Sequence, residues 1–390
     1  MRRAPDALRA GLEDLQRAQL RRHATIPAAS TIDFSSNDYL GLARHPALAA
    51  AMVTAANRFG VGSSASHLVS GHGPEHEALE AELAEFTGRE RALLFSTGYM
   101  ANLGIVASLV GRGDLVLSDQ LNHASLIDAG VLSKAELQRY SHADAAIASE
   151  LLAKWRSGQA TASAILTTDG VFSMDGDLAP LPALTAAARQ HGSWLLLDDA
   201  HGLGVLGKHG RGSCEHFGLD SQDVPLLMGT LGKAFGSFGA FVAGDRDLID
   251  WLLQKARTYI FTTALPQPVA AATRAALRLV DTEAWRRERL LQNIKTFCIG
   301  CAAASINLEP SVTAIQPLLL GNPGRALRIS EWLLERGFLV KAIRPPTVPV
   351  NSARLRVALS SSHEEQQIRK LIELLAEAVA LFPADRQDEQ

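Results

Sequence analysis

Short apolar runs alternate with helical segments along the first two thirds of the chain, and this alternation limits the possible folds most. The runs are three or four residues long: Ala92–Phe95, Leu115–Leu117, Ala164–Thr167, Trp194–Leu197, Leu226–Met228 and Ala240–Ala243. Residues with helical periodicity lie between most of them, at about 99–110, 144–156 and 181–191. Continuously apolar strands that alternate with helices predict a mostly parallel sheet covered on both faces. Ligands of such sheets bind at the carboxyl ends of the strands.

The two ends of the chain follow a different pattern. Leu8, Leu12 and Leu15 lie at helical spacing within residues 6–22, which predicts an amphipathic helix, and residues 32–42 predict a short strand and a loop. Pro74 precedes a helix predicted at 75–86. The rhythm breaks at residues 265–268, and we expect a long helix at 269–300, then short strands and a last helix at 364–381. We therefore predict an N-terminal segment at 1–40, a large α/β domain at 41–270 and a small α+β domain at 271–390.

Charge and cysteine content exclude several classes of protein. The chain of 390 residues has 38 Lys and Arg against 41 Asp and Glu, a formal net charge of -3, so we expect no nucleic-acid partner. Three cysteines are too few for a disulfide framework and are typical of a reducing compartment. No apolar run reaches the ~18 residues of a membrane span, and no apolar segment follows Arg2 and Arg3. We therefore expect a soluble cytoplasmic protein without a membrane contact.

Charged side chains follow two of the predicted strands at the edge where ligands bind. Asp198, Asp199 and His201 come directly after the run Trp194–Leu197, and a buried carboxylate needs a partner. Lys233 follows the next run and stands between Gly232 and Gly236, where it can be desolvated and act as a nucleophile. The plainer alternatives are a carboxylate that caps a helix and a solvated loop lysine.

Two further segments could complete a site at the same edge. Gly98 and Tyr99 follow a strand and open a helix, where backbone N–H groups can bind an anion. His123 follows another strand and could stack on a planar ring, although taken alone it favours a structural role.

Three other motifs suggest chemistry that we do not expect. Gly202–Gly207 matches G-x-G-x-x-G, but loop residues follow where a dinucleotide site needs a helix, so an NAD-binding oxidoreductase is only an alternative. Cys298 and Cys301 form a lone C-x-x-C, and His72 and His76 flank Pro74. We expect no metal site.

Taken together, the lysine, aspartate, histidine and helix-opening glycine occur in the order that resembles fold-type I pyridoxal-phosphate enzymes, and more narrowly the α-oxoamine synthases. Three further segments carry the resemblance: Phe34–Leu42, Asp169–Asp177 and Ile343–Pro349. The resemblance implies the aspartate aminotransferase-like transferase fold, in which a large, mostly parallel-sheet domain binds pyridoxal 5'-phosphate beside a small α+β domain. It also implies a homodimer with active sites at the subunit interface.

The resemblance also implies a role for each matching residue. Lys233 holds the cofactor and moves a proton at the substrate, Asp198 pairs with the ring nitrogen, and His201 hydrogen-bonds the ring hydroxyl. The implied catalytic set is Lys233, His123, Asp198 and His201. The implied cofactor-binding set is Gly98, Tyr99, His123, Ser173, Asp198, His201, Thr230, Lys233, Thr262 and Thr263, one of the last two acting in the neighbouring subunit. The implied substrate-binding set is Arg21 (or its neighbour Arg22), Asn37, His123, Arg344 and Thr347, with Arg344 on the substrate carboxylate.

The implied reaction condenses L-alanine with an acyl thioester, pimeloyl-CoA or a pimeloyl-carrier protein, and releases CO2 and the free thiol. Its product is 8-amino-7-oxononanoate, an intermediate of biotin biosynthesis. Glycine C-acetyltransferase and other α-oxoamine synthases share the cofactor residues and stay open as alternatives.

Overall fold

The computed structural model describes residues 4–24, 26–159 and 161–384. Its helices are α1 (Ala4–Arg17), α2 (Pro46–Phe59), α3 (Pro74–Thr87), α4 (Gly98–Leu109), α5 (Ala124–Ser133), α6 (Ala145–Gly158), α7 (Leu181–Gln190), α8 (Ser213–Phe217), α9 (Arg246–Lys255), α10 (Arg257–Ile260), α11 (Gln267–Thr282), α12 (Trp285–Ala303), α13 (Pro323–Glu335) and α14 (Glu365–Leu381), with a π-helical turn at His67–Gly71. Its strands are β1 (Ile32–Asp33), β2 (Arg91–Phe95), β3 (Leu115–Asp119), β4 (Glu136–Tyr140), β5 (Ala164–Asp169), β6 (Trp194–Asp198), β7 (Leu226–Thr230), β8 (Ala240–Gly244), β9 (Ile315–Gly321), β10 (Phe338–Leu339), β11 (Lys341–Ile343) and β12 (Ala353–Ala358).

A seven-stranded sheet forms the centre of the larger part of the chain. Its strand order is β2-β8-β7-β6-β5-β3-β4, and all pairs are parallel except those that β8 makes with β2 and β7. This arrangement confirms the mostly parallel sheet expected from the sequence.

Both faces of this sheet are covered, as the continuous apolar runs predict. Leu196 packs in one buried cluster with residues of α4, α5 and α9, whereas its neighbours Leu195 and Leu197 pack in a second cluster with residues of α6 and α7. Because successive side chains point to opposite faces, a strand that is apolar at every position must be buried on both.

The described residues divide into two compact units. The larger unit contains Asn37–Ser173 and Asp177–Glu288. The smaller unit contains the described residues of Met1–Ser36, Met174–Gly176 and Arg289–Gln390. The sequence placed a boundary at 270/271, but α11 falls in the larger unit because it packs against α2 and α3.

The smaller unit has its own sheets. β9, β12 and β11 form an antiparallel sheet, and β1 pairs in parallel with β10. Backbone bonding links the two chain ends within this unit, since Ala358 N–H donates to Phe34 O at 2.7 Å.

Several helix bounds differ from the sequence prediction. The amphipathic helix expected at 6–22 ends at Arg17, and the helix expected at 269–300 is interrupted at Glu283 and Ala284, which divide it into α11 and α12. Among the described residues, no helix is both long enough and apolar enough to cross a membrane.

Candidate active site

A cavity of about 180 Å³ opens at the carboxyl ends of the central strands, within the larger unit. Its lining combines an amine, two carboxylates, two histidines and small residues: Gly98, Tyr99, His123, Ser125, Asp169, Ser173, Asp198, Ala200, His201, Met228, Thr230 and Lys233. Eight of the ten residues that the sequence assigned to a cofactor therefore lie around one cavity.

Lys233 lies on the loop that joins β7 to the antiparallel β8. Leu231 N–H donates to Gly239 O at 2.8 Å and Gly236 N–H donates to Lys233 O at 2.8 Å, so the backbone on both sides is fixed. Gly236 has a φ of 62°, and a side chain there would collide with the backbone of Ala43. The glycine is therefore needed for the turn that presents the lysine.

His201 holds the amine of Lys233 through a chain of hydrogen bonds. Tyr39 donates its hydroxyl proton to Asn37 Oδ1 at 3.0 Å, and the same hydroxyl lies 2.7 Å from His201 Nδ1. Since that proton is used, Nδ1–H of His201 donates to the Tyr39 oxygen, and Nε2 accepts from Lys233 Nζ at 2.8 Å. In this arrangement His201 carries a proton on Nδ1, toward Tyr39.

Asp198, at the end of β6, is the buried carboxylate of the cavity. It is 5% exposed and accepts hydrogen bonds from Asn102 Nδ2 at 2.7 Å and from Ala200 N at 3.1 Å. Among the described residues it forms no ion pair within 4 Å, and the amine of Lys233 lines the same cavity.

Asp199, which follows Asp198 in the sequence and was not predicted as a site residue, does not line the cavity. It accepts bonds from Ser213 N at 2.8 Å and from Ser213 Oγ at 2.6 Å. Burial raises the pKa of Asp199 to about 7. Its neighbours show that Asp199 holds the loop beneath the site together.

His123 caps α5 and exposes its ring to the cavity. Its backbone N–H donates to Asp169 Oδ2 at 2.9 Å, and Nδ1 lies 2.7 Å from Ser125 Oγ. Burial lowers the pKa of His123, so the ring is neutral near pH 7. Burial, together with the charge of Asp198, raises the pKa of Asp169 well above its ordinary value.

Helix α4 begins at the cavity. Thr97 caps it by accepting a bond from Met100 N at 3.1 Å, while Gly98 and Tyr99 lie in its first turn and line the cavity. The first N–H groups of a helix have no partner within the helix, which suits an anion.

Other predicted site residues lie elsewhere. Thr262 and Thr263, on the loop after α10, do not line this cavity. Arg21 and Arg344 line a second cavity of about 410 Å³ within the smaller unit, where Arg344 donates to Gln19 O. Thr347 accepts a bond from Arg22 Nη2 at 3.0 Å, rather than from Arg21.

The sequence analysis did not single out Asn102, although it bonds Asp198 directly. The sequence did offer one signal: Asn102 is a polar residue in a helix whose other buried residues are apolar. Tyr39 lies in the segment Phe34–Leu42, which carries the family resemblance, but only the fold brings it to His201.

The other sequence motifs have structural surroundings. Residues 199–212 are turns, and no helix begins among them before Ser213, so Gly202–Gly207 lacks the helix of a dinucleotide site. Cys298 and Cys301 lie on α12 as free thiols.

A histidine cluster lies outside the cavity. Ligand atoms of His67, His72 and His76 lie within 4.8 Å of one another. Both ring nitrogens of His76 are already engaged, one by Gly73 N–H at 3.0 Å and one by Leu265 O. This bonding is that of a structural histidine.

The sequence model of the family described as Aminotransferase class I and II matches residues 29–375, so the chain belongs to that family. Proteins named 8-amino-7-oxononanoate synthase are among its curated relatives. The one from Methylococcus capsulatus is 58% identical over 91% of this chain and 90% of its own length. The one from Pseudomonas putida is 57% identical over 88% of this chain and 87% of its own length.

Solved structures agree with this assignment. Serine palmitoyltransferase from S. paucimobilis, with a bound PLP–myriocin aldimine, matches with a TM-score of 0.90 and 30% identity, over 97% of this chain and 98% of its own. An 8-amino-7-oxononanoate synthase from Francisella tularensis matches with a TM-score of 0.77 and 34% identity, over 91% and 99%. The predicted fold-type I architecture and the resemblance to the α-oxoamine synthases are confirmed.

Proposed function

We propose that this chain condenses L-alanine with pimeloyl-CoA or a pimeloyl-carrier protein, using pyridoxal 5'-phosphate, to give 8-amino-7-oxononanoate, CO2 and the free thiol. The observation that carries this proposal is the convergence of Lys233, Asp198, His201 and His123 on one cavity. Curated relatives named 8-amino-7-oxononanoate synthase, which are 53–58% identical over most of their length, support the choice of substrates.

The cavity fits this cofactor by its donor set. Asp198 is a buried carboxylate without an ion pair among the described residues, and a protonated ring nitrogen would supply the missing charge. The N-terminal turn of α4 offers N–H groups to a phosphate. When bound, the cofactor supplies a ring that accepts the electrons released at a substrate carbon.

Lys233 would hold the cofactor and, once displaced, remove the proton from the α-carbon of alanine. The contact of 2.8 Å between Lys233 Nζ and His201 Nε2 would hold the amine at the cavity wall, where it can reach both cofactor and substrate. The hydrogen bonds through Tyr39 to Asn37 keep His201 in place.

His123 and the residues of the cavity rim would orient the ring. A neutral imidazole is flat and carries no charge that would repel a positive ring, which suits the stacking role assigned to His123. Ser173 and Thr230 lie on the cavity wall as hydrogen-bonding groups, and Thr230 Oγ1 donates to Gly239 O at 3.1 Å.

The substrate carboxylate would bind Arg344, with Arg21, Asn37 and Thr347 as further substrate contacts. A guanidinium offers a planar pair of donors that matches a carboxylate. Burial and the charge of Arg22 lower the pKa of Arg344, but an arginine side chain stays charged in proteins.

We also propose a cytoplasmic homodimer in which Thr262 or Thr263 reaches the neighbouring subunit's phosphate. Val69 and Phe261 are large apolar side chains that are 79% and 70% exposed in the single chain. Exposed apolar surface of this kind is typical of association with another copy. Three free cysteines agree with a reducing compartment.

The test is a substrate panel with the purified holoenzyme. L-alanine with pimeloyl-CoA, or with pimeloyl-carrier protein, should give CO2 and a product of the expected mass. Glycine with acetyl-CoA tests glycine C-acetyltransferase, and L-serine with palmitoyl-CoA tests the reaction of the structural relatives. Turnover of either of these pairs above the alanine pairs would refute the proposed substrates.

A further inference from the structure

A continuous polar chain runs beneath the cavity from Asp198 to His123. Asn102 Nδ2 donates to Asp198 Oδ2 at 2.7 Å and to Ser125 Oγ at 2.8 Å. Ser125 Oγ in turn lies 2.7 Å from His123 Nδ1. One amide group therefore connects the two side chains assigned to the cofactor's nitrogen and to its face.

Asn102 occupies a position where a polar side chain is costly. It is 0% exposed, and its helix buries Ala101, Ile105 and Val106 beside it. Asparagine forms helices poorly, and Oδ1 of Asn102 has no hydrogen-bond partner among the described residues. An apolar residue would avoid both costs, so the donors of Asn102 must serve another purpose.

The orientation of the amide is set by its partners. If the group were turned over, Oδ1 would face the Asp198 carboxylate and two acceptors would repel each other. With Nδ2 inward, one N–H donates to the carboxylate and the other to Ser125. A donor on a carboxylate stabilises its ionised form.

Four titratable groups lie around Asp198. Asp169 from β5, Asp199 from β6, His123 from α5 and Lys233 from the β7–β8 loop all interact with it or with each other. Asp198 receives two N–H donors, whereas Asp169 receives one, from His123. The pKa of Asp169 is raised by burial and by Asp198. The amide of Asn102 thus donates to Asp198 and to neither of the other two carboxylates.

We propose that Asn102 is a positioning residue that keeps Asp198 ionised and aimed at the ring nitrogen of the cofactor. This inference rests on the proposed function, because it assumes that pyridoxal 5'-phosphate binds in the cavity. Asn102 acts through Asp198 and, by way of Ser125, also fixes the ring of His123.

The experiment uses holoenzyme loaded with cofactor that is labelled with nitrogen-15 in its ring. The nitrogen shift reports directly whether the ring is protonated, and equilibrium dialysis gives the dissociation constant of the cofactor. Asn102→Leu keeps the shape and removes the donors. We expect an increased fraction of unprotonated ring and cofactor binding weakened by about tenfold or more. Asn102→Ser, which is small and polar, should shift the signal in the same direction and serves if the leucine variant does not fold.

Asn293→Leu is the matched control. Asn293 is also buried and donates twice, to Ser360 O at 2.8 Å and His363 O at 3.1 Å, but within the smaller unit. It should lower the melting temperature and leave the nitrogen shift unchanged. A wild-type shift and wild-type affinity in the Asn102 variants would overturn the inference. A wild-type protein that binds no cofactor would overturn the proposed function instead.

Discussion

His142 joins two segments that carry residues of the cavity. Its Nδ1 lies 3.0 Å from Asp119 Oδ1 at the end of β3, and its Nε2 lies 2.8 Å from Asp177 Oδ2, beyond the loop with Ser173. Burial alone would lower the pKa of His142, but the hydrogen bonds and charges of both carboxylates outweigh it and raise the pKa to about 10. The imidazolium is therefore charged throughout the physiological range.

Replacing His142 with Gln should destabilise the protein most below neutral pH. The difference between 6.5 and about 10, at about 1.4 kcal/mol for each pH unit, sets an upper limit of about 5 kcal/mol. His142 and Asp177 are 22% and 29% exposed, so solvent screening reduces this figure. Asp119 is buried and would lose its cation, so we expect a loss of roughly 2–3 kcal/mol.

The pH dependence follows from the sign of the change. Because the folded pKa is above the unfolded one, the stabilisation is complete below pH 6.5 and is lost as pH rises through about 10. Thermal unfolding at pH 6 should show a melting temperature of His142→Gln that is lower by roughly 2–4 °C. The gap should narrow steadily between pH 7 and pH 10.

His209→Gln is the control, because His209 pairs with Glu215 at 2.6 Å but is largely exposed. Its effect should stay within about 1 kcal/mol. If His142→Gln lowers the melting temperature equally at pH 6 and pH 10, a neutral imidazole is enough to stabilise this part of the fold. No destabilisation at pH 6 would refute the whole argument.

Three further predictions concern two cavity residues and the arginine proposed to bind the substrate carboxylate. Lys233→Ala should abolish turnover and keep the fold, and borohydride reduction of wild-type holoenzyme should label the peptide with Lys233; label on Lys208 or Lys255 would refute the assignment. Asp198→Asn should slow exchange of the alanine α-proton in deuterated water by orders of magnitude, because an amide cannot hold the ring nitrogen protonated; near-normal exchange would assign that role to another group. Arg344→Lys should weaken alanine binding by about 1.5–3 kcal/mol in a spectral titration. If Arg344→Lys leaves alanine binding unchanged and Arg356→Lys weakens it, the substrate carboxylate binds Arg356, which is buried on β12.

Six of the seven strands of the central sheet were predictable because their signal is local, whereas the edge strand β4 was missed because only Tyr140 in it is buried. A run that is apolar at each position has one stable location, inside a covered sheet. Three strands were predicted too short at their carboxyl ends. In the structure β3, β5 and β6 each end on an aspartate: Asp119, Asp169 and Asp198. These aspartates complete the backbone ladder, but the side chains of Asp169 and Asp198 line the cavity and that of Asp119 bonds His142, so hydropathy alone ends the strand too early.

The prediction of one continuous helix at 269–300 was wrong, because the structure has two helices there, α11 and α12. Its apolar periodicity continues across Glu283 and Ala284, and no proline or glycine marks the break there. The contacts of the candidate site were not predictable at all where they join distant residues. Asn102 and Asp198 are 96 positions apart, and only the packing of α4 on the sheet brings them together.

The antiparallel position of β8 also determines how Lys233 can move. The loop that carries it is closed by strands that both lie inside the sheet, β7 beside β6 and β8 beside β2. To displace the lysine backbone, the protein would have to separate interior strands, which is close to global unfolding. The amide hydrogens of β7 and β8 should therefore be among the slowest in the molecule to exchange with solvent. The backbone that carries Lys233 is thus placed when the chain folds, and only the side chain has to move if its amine acts as we propose.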